Sequence, residues 1–136
     1  MTPPVDLAVL ILRLIAGAAF VIHGYPKLIG GSRGQTVDLM KLIGVAPTIT
    51  TAIALLELVG GVFVILGILT RLVTGLLALE MVATILLLAL RFKKKYILGY
   101  ELDIAYLAIF LGLALLGGGA YSLDGILGLR ALPFVA

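Results

Sequence analysis

The chain has 136 residues, a net charge of +3 and a hydrophobic fraction of 62%, and its mean hydropathy is +1.28. Soluble domains use about 45–50% apolar residues, so this composition excludes an ordinary soluble protein. It predicts an integral membrane protein with a single domain, residues 1–136. The excess of Lys and Arg lies in connecting segments and is not interleaved with aromatic residues, which argues against nucleic acid as a partner.

Cysteine is absent, and His23 is the only histidine. These counts exclude disulfides, iron–sulfur ligation and bis-histidine haem, and no Glu-x-x-His pair predicts a dinuclear metal site. We therefore expect no haem, iron–sulfur or metal cofactor. The lack of Asn and Trp and the single Gln fit a thermophilic source, and they equally fit chance in a short apolar chain.

Four apolar stretches are long enough to cross a membrane, since about 30 Å of hydrocarbon requires roughly 20 helical residues. They cover about residues 7–25, 48–69, 72–90 and 100–116. Residues 1–6 lack the basic segment of a signal peptide, so the first stretch is expected to remain as a span. The sequence thus predicts an all-α fold, an integral membrane four-helix bundle.

The first connection between spans, residues 26–46, is long and glycine-rich. Within it Gln35, Asp38 and Lys41 recur every third residue and are separated by apolar side chains. This pattern is typical of a short amphipathic helix lying in the membrane interface. The second connection is expected to consist of Thr70 and Arg71 alone, so that spans two and three form a tight antiparallel hairpin.

The distribution of Lys and Arg predicts the orientation of the bundle in the membrane. One side carries Lys27, Arg33, Lys41, Arg91, Lys93, Lys94 and Lys95, whereas the other carries Arg71 and Arg130. Because basic connections are retained in the cytoplasm, we expect a multi-pass plasma-membrane protein with both termini on the non-cytoplasmic side. The alternative is that the basic residues of the third connection serve to bind a partner, in which case the count of Lys and Arg misleads about the orientation.

Three ionisable residues, Arg13, Glu57 and Glu80, lie inside the predicted spans. A charge at membrane depth costs at least about 2.5 kcal/mol, so these groups need partners or a task. Helical rise places both carboxyl groups near the midplane, within reach of Arg13, and we expect Arg13 to pair with Glu57, Glu80 or both. The small residues Gly17 and Gly61 would let spans one and two approach closely. The pair either holds helices together or anchors a ligand head group or proton.

A second polar group gathers where span one ends and span four begins. His23 closes span one, and Glu101, Asp103 and Tyr106 lie in the first turns of span four. His23 can titrate near neutral pH or hydrogen-bond a ligand carbonyl; the alternative is an interfacial histidine satisfied by water. Glu101 shares a helical face with small residues such as Ala108, so it is expected to face a packed helix.

Several short motifs, taken in order and spacing, resemble the DoxX family of small four-span membrane proteins. They are Leu12-Arg13-Leu14, Ile22-His23-Gly24, Lys27-Leu28, Glu57-Leu58-Val59-Gly60-Gly61, Leu69-Thr70-Arg71-Leu72, Tyr100-Glu101 and Tyr121-Ser122-Leu123-Asp124. The resemblance covers about residues 10–125. It implies a membrane subunit of respiratory or sulfur-linked oxidoreductases, a family that includes the larger subunit of archaeal thiosulfate:quinone oxidoreductase and bacterial members that associate with soluble redox proteins. This chain is shorter than that subunit and has no Cys to carry sulfane sulfur, which argues against catalysis by the chain alone.

The leading hypothesis is a membrane subunit of a quinone-linked oxidoreductase, with thiosulfate or another sulfur compound as a candidate substrate. A quinone needs an apolar slot with a donor for each carbonyl. Arg13, His23 or Tyr106 would donate, and the carboxyl groups would relay protons. The full set of candidate site residues is Arg13, His23, Glu57, Glu80, Glu101, Asp103 and Tyr106. A soluble redox partner would dock on Arg91, Lys93, Lys94 and Lys95.

Two other classes of function stay open. Buried Glu and Arg also suit a small-solute or proton-coupled transporter, which with four spans would act as a dimer, so a homo-oligomer is a candidate state. The third class is a structural membrane anchor for a soluble redox enzyme. Solute flux in liposomes, compared with quinone binding by the purified protein, separates the three.

Overall fold

The structure, a computed structural model, describes residues 1–29 and 33–128. Its helices are α1 (Pro3–Leu28), α2 (Arg33–Leu42), α3 (Pro47–Leu66), α4 (Thr70–Leu86), α5 (Glu101–Leu116) and the short α6 (Leu123–Ile126). A π-helical turn, Leu87–Arg91, extends α4, and another at Tyr96–Tyr100 precedes α5. Arg130 and part of the glycine-rich first connection contributed to the sequence predictions but lie outside the described residues.

Four of the helical segments are long and apolar enough to cross a membrane, which confirms the predicted all-α membrane bundle. They are Pro3–Leu28, Pro47–Leu66, Thr70–Arg91 and Tyr96–Leu116. α1 packs mainly on α3 and α4 mainly on α5, while smaller α3–α4 and α1–α5 contacts join the two pairs. The amphipathic helix predicted between spans one and two is α2, which contacts α1 and α3 and buries none of its own residues.

The two ends of the bundle differ in charge. The basic end holds the C-terminus of α1, helix α2 and the connection from α4 to α5, with their Lys and Arg side chains. The terminal end holds the N-terminus, the α3–α4 turn and residues 117–128. Which end faces the cytoplasm stays a prediction of the basic-residue count.

The turn between α3 and α4 lies three residues earlier than predicted, so the assignment of Thr70 and Arg71 as the connection was wrong. Gly67 ends α3 in the left-handed conformation with a φ of 70°, and Leu69 has a φ of 48°. Thr70 and Arg71 already belong to α4. The start of α4 is fixed by Asp124, whose carboxylate accepts the N–H groups of Leu69 at 2.9 Å and Thr70 at 2.8 Å. A cap supplied from so far along the chain leaves no local signal in the sequence.

Glycines set the close approach of α1 and α3, as expected from the sequence. A Cβ atom on Gly17 would lie 2.8 Å from the carbonyl oxygen of Gly61, and one on Gly61 would lie 2.7 Å from that of Gly17. Nearer the basic end, a Cβ on Gly24 would lie 2.6 Å from the amide nitrogen of Leu58. The two backbones therefore touch directly, and their antiparallel register places Gly17 opposite Gly61.

Candidate functional site

A cavity of about 500 Å³ lies toward the basic end, among α1, α3, α4 and α5. Its wall is mostly apolar, and Leu39 and Met40 of α2 and Phe92 of the α4–α5 connection form part of it. The polar lining residues are His23, Lys27, Glu57, Glu80, Thr84, Lys94, Asp103 and Tyr106. An apolar cavity of this volume with a few convergent polar groups is typical of a small-molecule site.

An aromatic cluster separates the cavity from the packed interior of the bundle. Phe20 and Tyr106 line the cavity, with ring centroids 5.4 Å apart in an edge-to-face arrangement. Behind them, Phe110 is fully buried and its ring centroid lies 4.7 Å from that of Phe20. Such edge-to-face pairs stabilise by about 0.5–1.5 kcal/mol beyond area burial, so the ring contacts stabilise this wall of the cavity.

Three ionisable side chains meet in the wall of the cavity. Lys27 Nζ lies 2.5 Å from Glu57 Oε1 and 2.7 Å from Glu57 Oε2. The side chain of Glu57 is 6% exposed and that of Lys27 is 30% exposed. Glu80, on α4, is buried and lies close enough to Glu57 for the two carboxyl groups to interact. The wall of the cavity therefore places one amino group against two neighbouring carboxyl groups.

The remaining polar groups of the cavity come from α1 and α5. Asp103 lies within electrostatic reach of His23 and Lys27 and of Glu80. His23 is exposed and Asp103 is half-buried, so both are more accessible than the two buried glutamates. Among residues 1–29 and 33–128, no group of three or more His, Asp and Glu side chains could hold a metal ion.

Arg13 does not reach this cluster, and its predicted pairing with Glu57 or Glu80 was wrong. Arg13 is 1% exposed and lies at the terminal end. Its Nε donates to the carbonyl of Val64 at 2.9 Å and its Nη2 to that of Ile65 at 2.8 Å. Its Nη1 donates to the carbonyls of Gly118 at 2.8 Å and Tyr121 at 3.2 Å. Arg13 therefore supplies donors to carbonyl groups in the last turn of α3, where the helix lacks its own N–H partners.

The antiparallel register of α1 and α3 explains this outcome. Because Gly17 lies opposite Gly61, Arg13 falls beside the last turn of α3. Counting along the helix, Arg13 is about 12 Å from the level of Glu57, which exceeds the reach of its side chain. Lys27 is closer to that level from the basic side and takes the place predicted for Arg13.

Two aspartates that were not among the predicted site residues organise the terminal end. Asp124 attracts Arg13 and also accepts a hydrogen bond from Thr70 Oγ1 at 2.8 Å. Asp6 accepts the N–H of Ala120 at 2.7 Å. Together with Arg13 these contacts fix residues 117–128 across the bundle. The sequence drew attention to Asp124 through the Tyr121-to-Asp124 motif, but it gave no indication of which residues this motif would contact.

Glu101 also lies outside the cavity. It is half-buried and accepts the N–H of Leu98 at 3.3 Å. Ala105 and Ala108 on the same face are exposed, and a Cβ on Gly112 would meet nothing within 4 Å. The expectation that this face packs against a helix of the chain was wrong, because α5 lies at the edge of the bundle and packs mainly on α4.

The structure therefore brings together part of the predicted set. His23, Glu57, Glu80, Asp103 and Tyr106 line one cavity, whereas Arg13 and Glu101 do not. Lys27 joins them as the ion-pair partner of Glu57. The sequence places Lys27 at the end of span one, but it does not show that the side chain extends into the bundle as far as Glu57.

Comparisons with known proteins give a family match and two informative relatives. The family model described as DoxX matches residues 8–90. A Bacillus subtilis (strain 168) protein named "Putative oxidoreductase CatD" is 34% identical over 91% of this chain and 90% of its own length. The "Inner membrane protein YqjF" of Escherichia coli (strain K12) is 31% identical over 90% of this chain and 93% of its own length. No solved structure matches the chain.

Proposed function

Because this chain belongs to the DoxX family, we propose that it is the membrane subunit of a quinone-linked oxidoreductase and binds a quinone in the cavity at the basic end. The observation that carries the proposal is an apolar cavity of about 500 Å³ into which His23, Lys27 and Tyr106 converge with carboxyl groups. The relative named as an oxidoreductase supports the same class of reaction.

The lining of the cavity matches the chemistry of a quinone. Phe20 and Tyr106 offer aromatic surface to a flat apolar ring, while His23, Tyr106 and Lys27 offer donors to its carbonyl oxygens. A bound quinone supplies reversible two-electron, two-proton chemistry. The residues of this chain would hold the ring, exclude water and exchange protons through Glu80, Asp103 and His23.

The electron donor would dock at the basic end. Arg91, Lys93 and Lys95 are exposed and lie on the α4–α5 connection. Phe92 and Lys94 of the same connection line the cavity, so a protein bound there would be adjacent to the quinone. We propose a soluble redox protein with an acidic face as this partner, one that oxidises its own substrate, with a sulfur compound as one candidate.

The terminal end favours a binding site over a transport pathway. A transporter needs access from both ends of the bundle in turn. At the terminal end, Arg13 is hydrogen-bonded to both α3 and residues 117–128, and Asp124 is bonded to α4. Opening this end would break several buried, charge-assisted hydrogen bonds, which are about twice as strong as neutral ones.

Binding of a short-chain quinone to the purified protein in nanodiscs tests the proposal. His23→Ala and Tyr106→Phe should each weaken binding about tenfold, because each removes a hydrogen-bond donor. Tyr121→Phe is the matched control, since Tyr121 lies at the terminal end, and its affinity should equal that of the unsubstituted protein. Absence of saturable binding would overturn the proposal, and solute flux in liposomes that depends on Glu57 and Glu80 would favour the transporter instead.

A further inference from the structure

Thr84 is a polar residue of the cavity wall that has no role in the site as proposed so far. It lies on α4, one turn from Glu80 toward the basic end, and is half-buried. It stands in the middle of the α4 face that lines the cavity, which consists of Glu80, Met81, Ala83, Thr84, Leu87 and Leu88. In the part of the chain that the structure describes, its hydroxyl group has no hydrogen-bond partner and is not sealed in the interior. The hydroxyl group is therefore available to a ligand in the cavity.

Other threonines of the spans bond within their own helix. A threonine hydroxyl group inside a helix can donate to the carbonyl group four residues earlier. This bond is present, at 3.3, 3.0 and 2.7 Å, in Thr50, Thr51 and Thr74. The equivalent acceptor for Thr84 is the carbonyl group of Glu80, to which it does not donate. A hydroxyl group in an apolar wall is costly without a partner, so a ligand acceptor at this position would be stabilising.

The position of α4 in the bundle places Thr84 across the cavity from His23. α1 and α4 lie diagonally, because each of them packs on both α3 and α5. His23 and Thr84 therefore line the cavity from opposite walls. The register of α1 on α3 and the proximity of Glu57 to Glu80 relate the levels of the two helices. Counting about 1.5 Å per residue, His23 and Thr84 lie within about one turn of the same level.

We propose that the Thr84 hydroxyl group donates to one carbonyl oxygen of the bound quinone, while His23 or Tyr106 donates to the other. This inference rests on the proposed quinone site and adds a residue that positions the ring. A para-quinone carries its two carbonyl oxygens at opposite ends of the ring, so one donor from each wall fixes its orientation. Lys27 already donates to both carboxylate oxygens of Glu57, which leaves the carbonyl oxygen on the α4 side to Thr84.

Two ligands separate a hydrogen bond from a contact with the ring. Binding to the purified protein in nanodiscs is measured for menadione, a naphthoquinone without a tail, and for methylnaphthalene, which keeps the rings and the methyl group but has no carbonyl oxygen. Empty nanodiscs correct for partition into lipid. Thr84→Val replaces the hydroxyl group by a methyl group at nearly the same volume. It should weaken menadione binding about tenfold, as the loss of a hydrogen bond implies, and leave methylnaphthalene binding unchanged.

Further variants assign the effect to the hydroxyl group. Thr84→Ser keeps this group and should retain the menadione affinity to within about fourfold, the effect of one methyl-sized apolar group. Thr51→Val is the matched control, because it makes the same substitution on α3 at a threonine outside the cavity that is bonded to Pro47. It should change neither affinity. If Thr84→Val does not fold, comparison of Thr84→Ala with Thr84→Ser measures the same hydroxyl group.

The outcomes separate this inference from the proposed function. A menadione affinity that is unchanged in Thr84→Val would overturn the inference and leave the quinone site standing. An equal loss for menadione and methylnaphthalene would show that Thr84 only shapes the cavity, which would overturn the inference as well. No saturable binding of menadione by the unsubstituted protein would overturn both the inference and the proposed function.

Discussion

Lys27, in the last turn of α1, donates to both carboxylate oxygens of Glu57 in the middle of α3, at 2.5 and 2.7 Å. The lysine is 30% exposed and the glutamate only 6%. A flexible side chain thus carries a positive charge inward from the basic end to a carboxylate that the bilayer would otherwise leave uncompensated. The ion pair lies beside Glu80 on the polar side of the cavity.

Breaking this ion pair should destabilise the protein through the charge that is left behind. Glu57→Gln or Lys27→Met should each lower the free energy of unfolding by about 3 kcal/mol, the lower part of the range for buried pairs because Lys27 is partly exposed. The double variant should lose clearly less than the sum. Equilibrium unfolding in detergent measures all three, and strictly additive losses would show that the groups are not coupled.

Arg13 and Glu57 are not expected to be coupled. Substituting this pair is therefore the control for the double-mutant cycle of Lys27 and Glu57. Within the part of the chain that the structure describes, the two side chains share no partner, and they lie about 12 Å apart along the bundle. The free-energy losses of Arg13→Met and Glu57→Gln should therefore add within about 0.5 kcal/mol. A larger coupling would mean that Arg13 approaches the carboxyl pair after all.

Removing Arg13 should have one of the largest effects in the chain. Arg13→Met removes the side-chain donor from the carbonyls of Ile65 and Gly118, and each unsatisfied buried group costs about 1–3 kcal/mol. We expect a total loss above about 3 kcal/mol, with Arg13→Lys recovering only part, since lysine lacks the planar fork. Arg33→Met, on an exposed side chain, should change stability by less than about 0.5 kcal/mol. Similar unfolding curves for the Arg13→Met and Arg33→Met proteins would contradict the role assigned to Arg13.

The α1–α3 contact should not tolerate a single methyl group. Gly61→Ala places a Cβ 2.7 Å from the carbonyl oxygen of Gly17, and overpacking of this kind costs about 1–3 kcal/mol. Gly112→Ala is the matched control, because a Cβ there meets nothing within 4 Å and alanine favours helix by up to about 1 kcal/mol. Thermal unfolding should move in opposite directions for the two variants, and a stable Gly61→Ala protein would show that the helices can separate without loss.

Cysteine labelling tests the orientation, and the absence of native Cys gives a clean background. In intact cells, Lys94→Cys at the basic end should stay unmodified by an impermeant thiol reagent, whereas Ala120→Cys at the terminal end should react. Permeabilised cells provide the control in which both positions become accessible. Reaction at position 94 alone in intact cells would reverse the predicted topology.

The sequence alone determined the class of the protein, the four spans and the amphipathic α2, because hydropathy and helical periodicity are properties of each segment by itself. It also indicated which residues had to be unusual, since Arg13, Glu57 and Glu80 are costly at membrane depth wherever their partners lie. The close approach at Gly17 and Gly61 was also predictable, because glycines in a span allow two helix backbones to come into contact.

Only the tertiary structure decided which charges meet. Helical rise gives the depth of a residue, but the register between α1 and α3 is set by the Gly17–Gly61 contact. Sliding α1 by two turns along α3 would exchange Lys27 and Arg13 as the partner of Glu57. The start of α4 likewise depends on Asp124, which lies 54 residues from Thr70. Hydrogen bonds and ion pairs form between atoms in space, and their sequence separation follows from packing, so no local pattern could encode them.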